Sequence, residues 1–190
     1  MNRALLHIST PLTITVSTAL VLRGGNVTIE GPATLVTRSG VTPKPNGFQI
    51  TSSGNRLHAL TLEGFDSGVE IRPVSPPLPV GVTYTDNTVE RLTIRSARHG
   101  VVLSPSYLEC DPCATHNAWV NTTITDNVIE ASQSGVHVTL TSVGDLVDGI
   151  TITGNTLRIG TAAEPDAGGD GAIIIAAGLQ RARASVIEDA

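Results

Sequence analysis

The stretch Asn55-Arg-Leu-His-Ala-Leu-Thr-Leu-Glu-Gly-Phe-Asp-Ser-Gly-Val-Glu-Ile71 returns as Asn87-Thr-Val-Glu-Arg-Leu-Thr-Ile-Arg-Ser-Ala-Arg-His-Gly-Val-Val-Leu103, 32 residues later and without a gap. Leu60 meets Leu92, Leu62 meets Ile94, Gly68 meets Gly100 and Ile71 meets Leu103. A shorter copy, Asn127-Val-Ile-Glu-Ala-Ser-Gln-Ser-Gly135-Val-His-Val138, keeps the aliphatic residue six places before the glycine. A fourth, Asn155-Thr-Leu-Arg158, resumes after an insertion as Gly171-Ala-Ile-Ile-Ile175. The aliphatic positions Leu62, Ile94, Ile129 and Leu157 are 32, 35 and 28 residues apart. Self-similarity at such a period is the mark of a stacked repeat.

Each asparagine is preceded by a second pattern: Val82-Thr-Tyr-Thr-Asp-Asn87, Thr122-Thr-Ile-Thr-Asp-Asn127 and Ile150-Thr-Ile-Thr-Gly-Asn155. Upstream, Leu12-Thr-Ile-Thr-Val16, Leu20-Val-Leu22 and Val27-Thr-Ile-Glu-Gly31 alternate in the same way. Alternation of period 2 over a few residues predicts short, half-buried strands. Asn, Gly, Asp and Ser between them accept turn and left-handed backbone angles. Parallel pairing needs a crossover, and the rest of each repeat supplies it. The reading is therefore a solenoid with inward columns, Leu62–Ile94–Ile129–Leu157 and Val69–Val101–Val136. A slip of one residue would turn Thr inward and Ile outward, so the register is strongly fixed.

Composition agrees. The 190 residues carry 15% charged and 3% aromatic side chains, with a formal net charge of −5. One domain spanning 1–190 is expected at this length. Without a basic stripe, no nucleic-acid partner is expected. No run of 18 apolar residues predicts a membrane span. Residues 1–22 lack the basic start and uninterrupted apolar stretch of a signal peptide. Arg outnumbers Lys eleven to one, which hints at a GC-rich, bacterial genome.

The repeated Ile-Thr-(Asp/Gly)-Asn-x-(Ile/Leu)…Gly-Val-x-(Val/Leu) resembles the right-handed parallel β-helix proteins of the pectin-lyase-like superfamily. The opening Thr10-Pro-Leu-Thr-Ile-Thr and Val21-Leu-Arg-Gly-Gly-Asn-Val-Thr-Ile-Glu-Gly31 looks like that family's first coils. The resemblance covers roughly residues 8–180. It implies an all-β right-handed parallel β-helix of about six coils, about 29 Å long at ~4.8 Å per coil. It says little of function, because that architecture hosts lyases, hydrolases, epimerases, tailspikes, adhesins and inert scaffolds. The hydrolase branch carries Asn-Thr-Asp, Asp-Asp, Gly-His-Gly and Arg-Ile-Lys, of which only Arg98-His99-Gly100 is a partial counterpart. The epimerase motif Asp-Pro-His-Glu fails at Asp111-Pro112, which runs into Cys.

Three segments interrupt the repeat: Arg72–Val80 with its four prolines, Ser104–Val120, and Gly160–Asp170. Insertions in solenoids project from one face and often build the binding site, although tolerated surface loops are as good a reading. The second holds Cys110-Asp-Pro-Cys113 with His116, Tyr107 and Trp119. Cys110 and Cys113 read as a local disulfide, which fits an exported, extracellular or envelope protein. Inert thiols and a metal or redox site are the other readings, but structural zinc wants four ligands and no other Cys exists; no metal site is assigned.

Candidate catalytic residues are Asp86 and Asp126, which the repeat stacks, and His99, whose ordinary pKa suits a general base. Their competing readings are turn carboxylates serving the backbone and an exposed turn histidine; outward His137 takes the same discount. Glu63, Arg95 and Glu130 form an outward column, either a solvated charge ladder or one wall of a groove. The predicted groove lies between that column and the Ser104–Val120 loop, with Trp119 and Tyr107 as its lip. Outward pairs Thr83/Thr85, Thr123/Thr125 and Thr151/Thr153 would stack as two hydroxyl rows, as in ice-binding solenoids or as ordinary solvent-facing strand residues.

Three functions follow. The first is a polysaccharide-associated module that binds without cleaving and needs no cofactor. The second is a polysaccharide lyase or glycoside hydrolase, calcium serving a lyase. The third is a structural or adhesive solenoid. End-to-end self-association is also expected, since open coil edges are strand templates, as is membership of a longer solenoid.

Overall fold

The computed structural model describes residues 3–72, 82–104, 117–140, 146–160, 171–177, 181–183 and 186–188. Every described element is a strand, and every pairing between strands is parallel. The architecture is all-β with parallel sheets. The first sheet orders Ala4–His7, Val27–Glu30, Arg56–His58, Thr88–Glu90, Thr123–Thr125, Thr151–Thr153 and Val186–Glu188 side by side. The short third sheet holds Thr83–Thr85, Ala118–Val120, Leu146–Asp148 and Arg181–Arg183. Strand neighbours in each are one repeat apart in sequence, as parallel pairing through a long crossover requires.

The second sheet has two columns. One runs Leu12–Val16, Ala33–Thr37, Thr61–Glu63; the other runs Leu20–Leu22, Phe48–Ile50, Ser67–Ile71. The long strands Thr93–Leu103 and Val128–Leu140 span both, and Thr156–Ile159 and Gly171–Ala177 pair with the latter. The expected aliphatic columns are present: Leu62, Ile94, Ile129 and Leu157 are in register, as are Val69, Val101, Val136 and Ile173. Together with Leu57, Val89, Ile124 and Ile152 they form one core, fully buried except for Leu157 and Ile173, which are partly buried and pack against it. At about 25 cal/mol per Å² of apolar area removed from water, these columns are the main favourable term for folding.

Two corners of the repeat are built from left-handed residues. One column is Asn26, Gly54, Asp86, Asn121 and Gly149; the other is Gly31, Ala59, Arg91, Asp126 and Gly154, and all ten have positive φ. In each column the corner N–H donates to the carbonyl before the next corner, as Asp86 to Val120 (3.1 Å) and Asp126 to Thr153 (3.1 Å). Asn, Asp and Gly tolerate this region best.

The repeat glycines Gly68, Gly100 and Gly135 behave differently. They were expected as turn residues, yet none has positive φ. They lie inside the second sheet, where an added Cβ would come within 2.7 Å of Ile94, 2.5 Å of Ile129 and 3.0 Å of Leu157 respectively. Space, not backbone freedom, requires glycine there.

Candidate functional site

Pairing of Thr93–Leu103 with Val128–Leu140 shifts register between Ile94 and Ala97, and again between Ala97 and His99. Such irregularities bend a strand and re-aim its side chains. Beyond the bend, His99 stands level with Ser67 and Ser134, while Val102 stands level with Glu70 and His137. Ser67, Glu70, His99, Val102 and His137, with residues of the neighbouring turns, line a cleft of about 380 Å³. Successive repeats each contribute to it: Asn46, then Asp66 and Glu70, then Arg98 and His99, then Gln133 and His137.

The cleft is held by short polar contacts. Glu70 is 6% exposed. It accepts hydrogen bonds from Asn46 Nδ2 (2.5 Å) and Ser104 Oγ (3.1 Å), and pairs with Arg72 Nε at 3.2 Å. Burial pushes its carboxyl up from the ordinary value, while Arg72 and Ser104 pull back and Asp66 adds to the rise. The His99 and His137 rings are neighbours, with centroids 5.6 Å apart and planes inclined at 53°. His99 Nδ1 lies 2.8 Å from Ser134 Oγ, and His137 Nε2 lies 2.9 Å from Thr139 Oγ1. Burial, then Arg98 and His137, lower His99 to about 4 against a smaller opposing effect of Asp66; burial also lowers His137. Burial thus favours the neutral form of both imidazoles. Arg98 Nε donates to Gln133 Oε1 at 2.8 Å and, among the described residues, has no carboxylate partner.

Of the residues singled out in the sequence, His99 and His137 lie in this cleft. Glu63 and Arg95 are paired at 3.9 Å and Glu130 with Arg158 at 2.9 Å, on the other column of the sheet. Trp119 is 0% exposed. It stacks on Tyr84 at 6.2 Å and donates its Nε1–H to the Ile71 carbonyl at 3.3 Å. Its indole is a core group and has no free face for a sugar, which corrects its expected place on a ligand lip. Burial of Tyr84 pushes its phenol up to about 12. Tyr107, Cys110, Cys113 and His116 lie outside the described residues.

Asp86 and Asp126 do not stack. Thr88, not Thr83, is level with Thr123, so the two aspartates sit on different corners. Asp86 Oδ1 accepts from Asn121 Nδ2 (3.3 Å). The threonine rows are corrected likewise: Thr83–Thr85 pairs with Ala118–Val120, and only Thr123/Thr125 and Thr151/Thr153 are adjacent pairs. Since the corner conformation suits Asn and Gly, Asp86→Asn and Asp126→Gly are expected to unfold in urea within about 1 kcal/mol of wild type. Loss of an activity in either variant would return those carboxylates to a catalytic role.

Glu70 is the functional candidate that the repeat alignment passes over, and His137 is the outward histidine that it discounts. No periodic signal marks them in the sequence, because Val102 stands between Glu70 and His137 in their column. Among the described residues no three His, Cys, Asp or Glu gather as a metal-holding group, and no helix is long and apolar enough to cross a membrane. Compared with protein families, with curated proteins and with solved structures, the chain matches none.

Proposed function

We propose that the chain is a right-handed parallel β-helix of the pectin-lyase-like kind that binds polysaccharide in the cleft over Glu70, His99 and His137. The observation that carries this reading is the convergence of hydrogen-bonding side chains from successive repeats in one cleft. A linear glycan laid along the stack would meet amide, guanidinium and imidazole groups in turn. Strands in a sheet are about 4.8 Å apart, so each repeat step advances the polymer by a comparable distance. The aromatics Trp119, Tyr84, Phe48 and Phe65 are all in the core, so recognition would rest on hydrogen bonds more than on ring stacking.

The competing carboxylate chemistry has less support. Hydrolases place two carboxyl groups across the scissile bond, whereas Asp86 and Asp126 occupy separate corners and Glu63 and Glu130 are in ion pairs. The test is a glycan array at neutral pH, followed by calorimetry with Arg98→Ala. That variant should bind a retained polymer roughly tenfold more weakly, the equivalent of about 1.4 kcal/mol. No retention of any glycan would favour a structural or adhesive solenoid. New reducing ends or unsaturated uronates on incubation, with or without calcium, would favour the enzyme.

A further inference from the structure

We infer that Ser134 fixes His99 in the tautomer that carries its proton on Nε2, so that His99 meets the cleft as a hydrogen-bond donor and not as a base. Ser134 is fully buried. Its hydroxyl lies 2.8 Å from His99 Nδ1, and no other partner for it is found among the described residues. Two arrangements fit that distance. In one, Ser134 O–H donates to a bare Nδ1, and both groups are satisfied. In the other, Nδ1–H donates to Ser134 Oγ, and the serine proton is left buried without an acceptor. An unsatisfied buried donor costs about 1–3 kcal/mol, a factor of roughly 5–150 in population at about 1.4 kcal/mol per tenfold. The first arrangement wins.

The tautomer matters because the imidazole is neutral in the pH range where a ligand would be met. The charged and titratable groups around it are Asp66, Glu70, Arg72, Arg98 and His137. With Nδ1 accepting from Ser134, the only lone pair of the ring is already used. A proton taken by His99 would have to enter at Nδ1, which reverses the serine bond and leaves the buried serine proton without an acceptor. Nε2–H is the atom left to recognise something, and its complement is an acceptor: a sugar hydroxyl, ring or carboxylate oxygen. Ser134 is thus a positioning residue, and His99 a specificity residue. The ligand half of this statement rests on the glycan reading; the tautomer half does not.

The test is long-range proton–nitrogen NMR of the intact chain at neutral pH. Wild type should show His99 Nδ1 as the unprotonated nitrogen and Nε2 as the protonated one. In Ser134→Ala this preference should weaken toward an average of the two forms, while the signals of His137, bonded to Thr139, stay put. A protonated Nδ1 in wild type, or an unchanged pattern in Ser134→Ala, would overturn the assignment. Where the array identifies a bound glycan, His99→Gln, which keeps a donor, should bind within about threefold of wild type, and His99→Ala should lose roughly tenfold. Equal losses in both would remove the donor role while leaving the glycan reading in place. An array without binders would remove the glycan reading and leave the tautomer result standing.

Discussion

Gly100→Ala is expected to be the most damaging small substitution in the chain, costing about 3 kcal/mol or more. The new methyl would lie 2.3 Å from the Gly135 carbonyl oxygen, 2.5 Å from Ile129 Cγ2 and 3.0 Å from its Cδ1. The first contact is with backbone, which cannot rotate away. Relief therefore demands that two strands of the second sheet move apart, which weakens the His99–Ser134 and Val101–Val136 pairings on either side. Overpacking a close-fitted core commonly costs about 1–3 kcal/mol, and more where no rotamer change relieves it. Gly24→Ala is the matching control. Gly24 lacks positive φ and has nothing within 4 Å of the position a Cβ would take, so it should be close to neutral. In a thermal scan the difference should appear as a fall of roughly 10 °C for Gly100→Ala, at about 2–4 °C per kcal/mol in a chain of this size. Equal midpoints for the two variants would show that the sheet yields freely and that the glycine column is not a packing requirement.

The same column illustrates what the sequence discloses and what it withholds. Gly68 and Gly100 stand at one place in successive repeats, and the aliphatic residues six positions earlier stand over one another. Both are visible because glycine and β-branched residues are chosen by the sheet interior, where a repeat must fit its neighbour. The corners are different. Thr83–Asn87 and Thr123–Asn127 read almost identically, yet they occupy different corners, 40 residues apart in sequence where strand partners here are 35 apart. Both corners need a left-handed residue after a short strand, so the same local physics selects the same letters at each. Only the pairing of strands, a property of the whole repeat, separates them. The cleft was hidden for a related reason. Its side chains come from outward positions, where solvent accepts nearly any residue, so Glu70, Val102, His137 and Ile174 show no pattern although they share one column. Trp119 misled because a lone tryptophan near an insertion looks the same whether its ring faces water or the core.

The second large effect is expected inside the core, at Asn127. Its Oδ1 accepts the Leu92 N–H (2.9 Å), and its Nδ2 donates to the Val89 carbonyl (3.1 Å) and to Asn155 Oδ1 (2.8 Å). Its own N–H also donates to Asn155 Oδ1, at 3.0 Å. The buried amide satisfies the Leu92 N–H and has both its own oxygen and its nitrogen hydrogen-bonded, which is why the ladder is worth its desolvation. Asn127→Asp keeps the shape and the acceptor toward Leu92. At neutral pH it sets a charge and two lone-pair oxygens against the acceptors Val89 O and Asn155 Oδ1, for an expected loss of about 3–5 kcal/mol. Burial and facing acceptors both raise the folded-state pKa of the new carboxyl above its unfolded value. The folded state then binds the proton more tightly, so the loss is smallest below the unfolded pKa and grows as pH rises through the folded one. The parallel ladder from Asn55 to Asn87 ends at Thr122, which is level with Asn87; there the Asn87 Nδ2 and the Thr122 hydroxyl are both buried without partners among the described residues. Thr122→Asn would offer Asn87 the carbonyl that Asn87 offers Asn55. It should raise the urea midpoint by the equivalent of about 1 kcal/mol. Asn127→Asp as stable as wild type, or Thr122→Asn less stable, would mean that these amides merely occupy volume and that the repeats are held by their aliphatic columns alone.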